Sequence, residues 1–144
     1  MTDIVDRQTR SRMMSGIGSR NTRPEAIVAS LVHREGLRFR KNVASLPGKP
    51  DLVFARYRKC LLVNGCFWHG HECRNFAWPK TNRKFWREKI LGNVERDAKN
   101  LINLRRLGWR CRVVWECDVR RLKDPDRAKR FAERMSAWIR TQQR

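Results

Sequence analysis

The sequence predicts an α/β fold, a mixed sheet flanked by helices. Three features carry that reading: apolar residues at three-four spacing in separate stretches, the unbroken run Leu61-Leu62-Val63, and an alternation of helical and strand patterns. With 144 residues the chain has room for one sizeable core and little for a second, so a single domain, 1–144, is expected. Leu, Ile, Val and Phe make up 33 of the residues, enough to keep the chain out of the disordered class.

In chain order, residues 7–19 read as a short basic helix carrying Met13, Met14 and Ile17, within a basic N-terminal arm, 1–20. Thr22-Arg23-Pro24-Glu25 reads as a capping box with Thr22 as N-cap. It opens a helix that buries Ile27, Val28, Leu31 and Val32 and stops near Gly36. Strands are expected at Phe39–Val43, at Asp51–Phe54 after the turn Leu46-Pro47-Gly48-Lys49-Pro50, and at Cys60–Val63. Residues 64–80 are irregular and rich in Cys, His and aromatics. A long helix follows over 82–107, with Phe85, Ile90, Val94, Leu101 and Leu104 inward and Gly108 past its end. Trp109–Trp115 is a further strand, and Asp124-Pro125 caps a last helix whose Ala128, Phe131, Ala132, Met135, Trp138 and Ile139 line one face.

Lys and Arg number 34 against 14 Asp and Glu, a formal charge of +20. Such an excess calls for a polyanion, and nucleic acid is the default, because Lys and Arg gain affinity by releasing counterions from phosphates. The charge is clustered: five Arg and no acid lie between Asp6 and Glu25, and further clusters span 80–89 and 120–130. No apolar run approaches the ~18 residues of a membrane span, and the N-terminus has no signal-peptide core. A secreted or membrane-bound protein is not expected; a cytoplasmic, nucleoid-associated one is.

Five Cys without a secretion signal argue against a disulfide framework. Cys66, His71 and Cys73 with Cys117 as a distant fourth would suit tetrahedral zinc and would staple an irregular loop to the sheet. A local set of Cys66, His69, His71 and Cys73 competes, Cys111 is a weaker fourth ligand, and unligated core cysteines are the bland alternative. Cys60, before an apolar strand, reads as a buried thiol.

If His71 serves zinc, His69 is left free on the same loop. Asp51, after Pro-Gly-Lys-Pro at the start of a strand, suits a hard cation such as magnesium. The metal would polarise a phosphate while neutral His69 takes a proton from water, imidazole being the side-chain type that exchanges protons near neutral pH. Glu25 is a supporting carboxylate, although the capping box alone also accounts for it. Phe67 and Trp68 in the loop and Trp86 on the basic helix are candidate wedges or stacking platforms for bases. Lys89 and Asn93 share the Trp86 face and are placed to touch base edges or phosphates. Met14 is a lesser wedge candidate; Trp109, Trp115 and Trp138 read as core.

Several segments taken together closely resemble the very-short-patch repair (Vsr) endonucleases. They are Thr9-Arg10-Ser11, Leu46 to Asp51, Asn64-Gly65-Cys66-Phe67-Trp68-His69-Gly70-His71-Glu72-Cys73, Phe85-Trp86, Asn93-Val94-Glu95-Arg96-Asp97, and Gly108-Trp109 through Val114-Trp115-Glu116-Cys117. The resemblance implies a restriction-endonuclease-like fold of the PD-(D/E)XK type with a structural zinc on Cys66, His71, Cys73 and Cys117. It implies a magnesium-dependent DNA mismatch endonuclease that nicks one strand 5′ to the thymine of a T:G mismatch, starting repair of deaminated 5-methylcytosine. By the same resemblance Asp51 binds magnesium with an oxygen of Val63, His69 is the general base, Glu25 and Asp97 support the site, and Phe67, Trp68, Trp86 and Met14 enter the duplex. Val63 stands where threonine is the family pattern, and Asn64 and Gly70 stand where relatives carry histidine. The expected partner is double-stranded DNA bearing the mismatch, bound by a monomer, with other mismatch-repair factors as further partners. The alternative is a zinc-stabilised DNA-binding module without catalysis.

Overall fold

The structure, a computed structural model, describes residues 23–74 and 76–141. The expected helix over 7–19, the N-terminal arm, Met14 and Thr22 lie outside the described residues. Helix α1 is Pro24–Arg34, and its N-cap is Arg23 rather than Thr22. The reason is Pro24: the residue before a proline is held extended, and Arg23 has φ −79° and ψ 139°. Glu25 thus lies in the first helical turn, where a carboxylate favours the helix dipole, and its Oε1 is 3.5 Å from Arg23 Nη1.

Four strands follow: β1 (Arg40–Lys41), β2 (Leu52–Phe54), β3 (Lys59–Asn64) and β4 (Arg110–Trp115). Spatial order is β1-β2-β3-β4, with β1/β2 and β2/β3 antiparallel and β3/β4 parallel. The sheet is mixed, as the sequence predicts. The parallel pair needs a crossover, and helix α2 (Arg83–Arg106) supplies it. Strand β1 is shorter than the expected Phe39–Val43. Asn42 takes φ 50° and ends it, while the Phe39 ring turns to meet Phe54 edge-on at 5.6 Å.

Alternation along the strands builds two layers. Leu52, Phe54 and Leu61 face α1 and helix α4 (Pro125–Arg140), joining Val28, Val32, Phe131, Met135 and Ile139 in one buried cluster. Val53, Cys60 and Leu62 face the other way, against Leu104 and Trp109. Of the expected inward set on α2, Ile90 and Leu104 are buried and Leu101 is half-buried, but Phe85 and Val94 are exposed. The first half of α2 overhangs the 65–80 loop instead of the sheet. Asp124 caps α4 as expected, its Oδ1 accepting from Asp126 N–H at 3.0 Å. Lys59, fully buried on β3, donates to the carbonyl oxygens of Trp138 at 2.9 Å, Ile139 at 3.2 Å and Thr141 at 2.5 Å. It thereby satisfies the last carbonyls of α4, where a cation also suits the dipole.

Candidate active site and metal centre

The candidate residues gather at the C-terminal end of β3. Strand β2 begins one residue after Asp51, and Pro50 ahead of it is buried. The Asp51 carboxylate reaches across to β3, where Oδ2 accepts from Val63 N–H at 2.7 Å. Burial raises the Asp51 pKa, and the Glu25 carboxylate raises it further; the Val63 N–H and the nearby His69 ring pull the other way. Glu25 is therefore a neighbour of Asp51 as well as a first-turn residue of α1.

After Asn64 the chain folds back on itself, with His69 N–H on Gly65 O at 3.2 Å and His71 N–H on Cys66 O at 2.9 Å. Gly70 has φ +64°, and a Cβ there would lie 2.8 Å from Val94 Cγ2 and 3.1 Å from Ile90 Cγ2. A larger residue here would have to displace the Val94 and Ile90 methyls and hold a positive φ, which glycine does without strain. The close approach brings His69 Nδ1 to 2.5 Å from Asp97 Oδ2 on α2. Neither periodicity nor spacing singles out Asp97; it lies one face of a long helix away from anything the local sequence makes special.

Cys66, His71, Cys73 and Cys117 form the metal-binding geometry found among the described residues, their ligand atoms all within 4.8 Å of one another. This is the long-range set favoured from sequence, and it leaves His69 outside. Three sulfurs and an imidazole nitrogen are the donor set of a structural zinc, whose ligand atoms stand roughly 3.5–4 Å apart around a tetrahedron. Cys117 Sγ is 3.6 Å from His71 Nδ1. Burial is the main force pushing the Cys66 thiol up to about 12. Strand β4 stops at Trp115, and helix α3 (Glu116–Arg120) carries Cys117 into the cluster. Cys111, the weaker candidate for fourth ligand, remains on β4 and pairs with Cys60 on β3. Trp115, read from sequence as core, is half-buried and stacks flat on His71, with centroids 4.0 Å apart and planes at 7°. Glu116 Oε1 accepts from Cys66 N–H at 3.4 Å, a further tie on the loop.

Phe67, Trp68 and Trp86 form one aromatic cluster. Phe67 is 5.2 Å from Trp68 and 5.6 Å from Trp86, and the two indoles are 5.7 Å apart. Trp68 is 48% exposed, and Phe85, packed edge-on to Trp86, is 57% exposed. The rings thus hold one another in place while presenting an edge to solvent. Lys89 is exposed beside them. Asn93 is committed to the loop: its Nδ2 donates to Trp68 O at 2.8 Å, and its Oδ1 accepts from Arg96.

Known proteins resemble the chain over most of its length. The family model of DNA mismatch endonuclease Vsr matches residues 2–75. The chain is 47% identical over 140 residues to the DNA mismatch endonuclease Vsr of Escherichia coli (strain K12), covering 96% of this chain and 88% of that protein. It is 43% identical to the type II nicking enzyme V.NmeAIP of Neisseria meningitidis, covering 83% and 86% of the two chains. With V.XorIIP of Xanthomonas oryzae the identity is 45%, over 83% and 88%.

Proposed function

The chain belongs to the Vsr family of DNA mismatch endonucleases, and from that premise we propose that it nicks one strand of duplex DNA 5′ to the thymine of a T:G mismatch. The contact of His69 with Asp97 beside the Asp51 carboxylate is the observation that carries this reading. A carboxylate at Nδ1 accepts the ring proton and leaves Nε2 as the basic nitrogen, and it stabilises the ring once charged. His69 takes a proton from the attacking water through Nε2, and Asp97 holds the ring in the orientation for that transfer.

Magnesium fits the neighbouring group. Two carboxylates, Asp51 and Glu25, repel each other in a half-buried setting, and a hard cation relieves both the repulsion and the burial cost. Asp51 would hold it directly with the main-chain oxygen of Val63, with Glu25 in support. When bound, the ion neutralises charge building on the scissile phosphate. Val63 N–H keeps the Asp51 carboxylate turned toward the site whether or not its side chain carries a hydroxyl. Zinc on Cys66, His71, Cys73 and Cys117 fixes the loop, so that His69 remains a base rather than a ligand. Phe67, Trp68 and Trp86 enter the helix at the mismatch, Met14 and the arm over 1–20 join from the N-terminal side, and Lys89 reaches phosphates. The fold is of the restriction-endonuclease PD-(D/E)XK type, residues 1–144 form one domain, and the enzyme acts as a cytoplasmic monomer.

A labelled duplex with one T:G mismatch, tested with magnesium in several methylcytosine contexts, checks the reading. The expected product is a single nick on the thymine strand, lost in Asp51→Asn and His69→Ala. Binding without any nick by the parent chain would leave only a zinc-held DNA-binding module.

A further inference from the structure

Two cysteines lie outside both the metal centre and the proposed chemistry. Strands β3 and β4 run parallel, with Cys60 paired directly opposite Cys111. Both project to the α2 face, where Cys60 is fully buried with Val53, Leu62 and Leu104. Cys111 is half-buried and opens onto a cavity of ≈ 770 Å³ lined by Leu101, Arg105, Arg106, Arg110 and Trp138 among others. One thiol therefore faces solvent-accessible, positively charged space while its neighbour is sealed behind it.

We propose that Cys111 and Cys60 are an oxidisable dithiol: a hydroperoxide entering the cavity oxidises Cys111, and Cys60 resolves the product to a disulfide bridging β3 and β4. Paired strands stand ~4.8 Å apart, within the roughly 4.4–6.8 Å between Cα atoms that a disulfide spans. In the first step the Cys111 thiolate attacks the peroxide, taking one oxygen to become a sulfenic acid and releasing an alkoxide or hydroxide. In the second, the Cys60 sulfur displaces that hydroxyl, which leaves as water with the Cys60 proton. The two thiols are oxidised by two electrons, and one peroxide is reduced.

The electrostatics suit this division of labour. The hydrogen bond between the two thiols lowers the Cys111 pKa, with Arg105 adding to the effect against the cost of burial. The same hydrogen bond and burial raise that of Cys60. Reactivity follows thiolate character and access, so Cys111 is the attacker and Cys60 the resolver. Without a resolving neighbour, Cys111 would continue to sulfinic acid.

The test is peroxide treatment of the folded, zinc-loaded full chain, followed by unfolding, alkylation and peptide mass mapping. Alkylatable cysteines should fall from five to three, with a Cys60–Cys111 cross-linked peptide two hydrogens lighter than the separate peptides and restored by dithiothreitol. In Cys60→Ala, dimedone should instead trap a sulfenic acid at Cys111. In Cys111→Ser, Cys60 should stay reduced, a check that stands even if the alanine variant does not fold. Recovery of both cysteines fully alkylated from peroxide-treated parent overturns the proposal. So does Cys111 sulfonate beside a reduced Cys60.

Discussion

The two faces of the sheet are held by different physics. Against α1 and α4, a broad cluster with Phe54, Leu61, Phe131 and Ile139 at its centre excludes water chiefly by apolar burial, with Lys59 bonded to the end of α4. Against α2 the buried set shrinks to Val53, Cys60, Leu62, Leu104 and Trp109. The helix there leaves Phe85, Leu91, Val94 and Ile102 exposed, and Leu107 just past its end is exposed too. What holds that side is directional: the Cys66/His71/Cys73/Cys117 cluster, the Asn93 bond to Trp68 O and the His69–Asp97 contact. The difference teaches where function sits. One face is spent on stability, and the under-packed face keeps its polar groups and rings available to a substrate.

Phe54→Ala should have the largest effect, because the ring is fully buried in the larger cluster. A loss of about 3–5 kcal/mol in denaturant unfolding is expected, while the folded fraction keeps its zinc; equal loss of both would erase the contrast between the faces. Asp97→Asn should do the reverse, lowering the nicking rate about 10²-fold or more with little change in thermal midpoint. An unchanged rate would take the His69–Asp97 contact out of the chemistry. Cys117→Ser is expected to weaken zinc retention at least ~10-fold, about 1.4 kcal/mol, measured by chelator competition, and to disorder Phe67 and Trp68 more than α4. Full retention would mean that the loop closes without α3.

The smallest effect is a pH dependence. Asp51 has a folded-state pKa raised by burial and by Glu25. A carboxyl of that kind favours the folded metal-free protein at pH below its unfolded pKa, and that contribution is lost as pH rises through the folded pKa. Metal-free parent should therefore gain thermal stability relative to Asp51→Asn on acidification through that window. Nicking should fall over the same window, and added magnesium should move the fall to lower pH. Identical pH profiles for parent and Asp51→Asn stability would remove Asp51 as the buried carboxylate of the site.

Much of this was legible from the chain itself. Periodicity marks α1 and α4, the Leu61-Leu62-Val63 run marks the central strand, and the Cys/His spacing leads to the zinc-type cluster with Cys117 as its fourth member. Where the inward set misleads, the causes differ. Phe85, five positions before Ile90, stands about 140° round the helix from it and is exposed, whereas Val94 is in phase with Ile90 but meets the Gly70 turn and is 40% exposed. Strand β4 was legible, yet the switch to helix at Glu116 was not, because nothing in Glu-Cys-Asp-Val forbids continued extension. Asp97 came from family resemblance alone: its partner is 28 positions away across a turn that depends on Gly70. The Trp115–His71 stack was missed for a related reason, since a tryptophan ending a strand reads as core until the loop is folded over it.

The buried ammonium of Lys59 ties the last turn of α4 to the strand that also carries Val63. Neither can detach without leaving the Lys59 ammonium short of its carbonyl partners. Hydrogen exchange should accordingly find the end of α4 and the start of β3 opening as one cooperative unit. Loosening the chain near Thr141 would then be felt, through a single side chain, at the carboxylate on which the reaction turns.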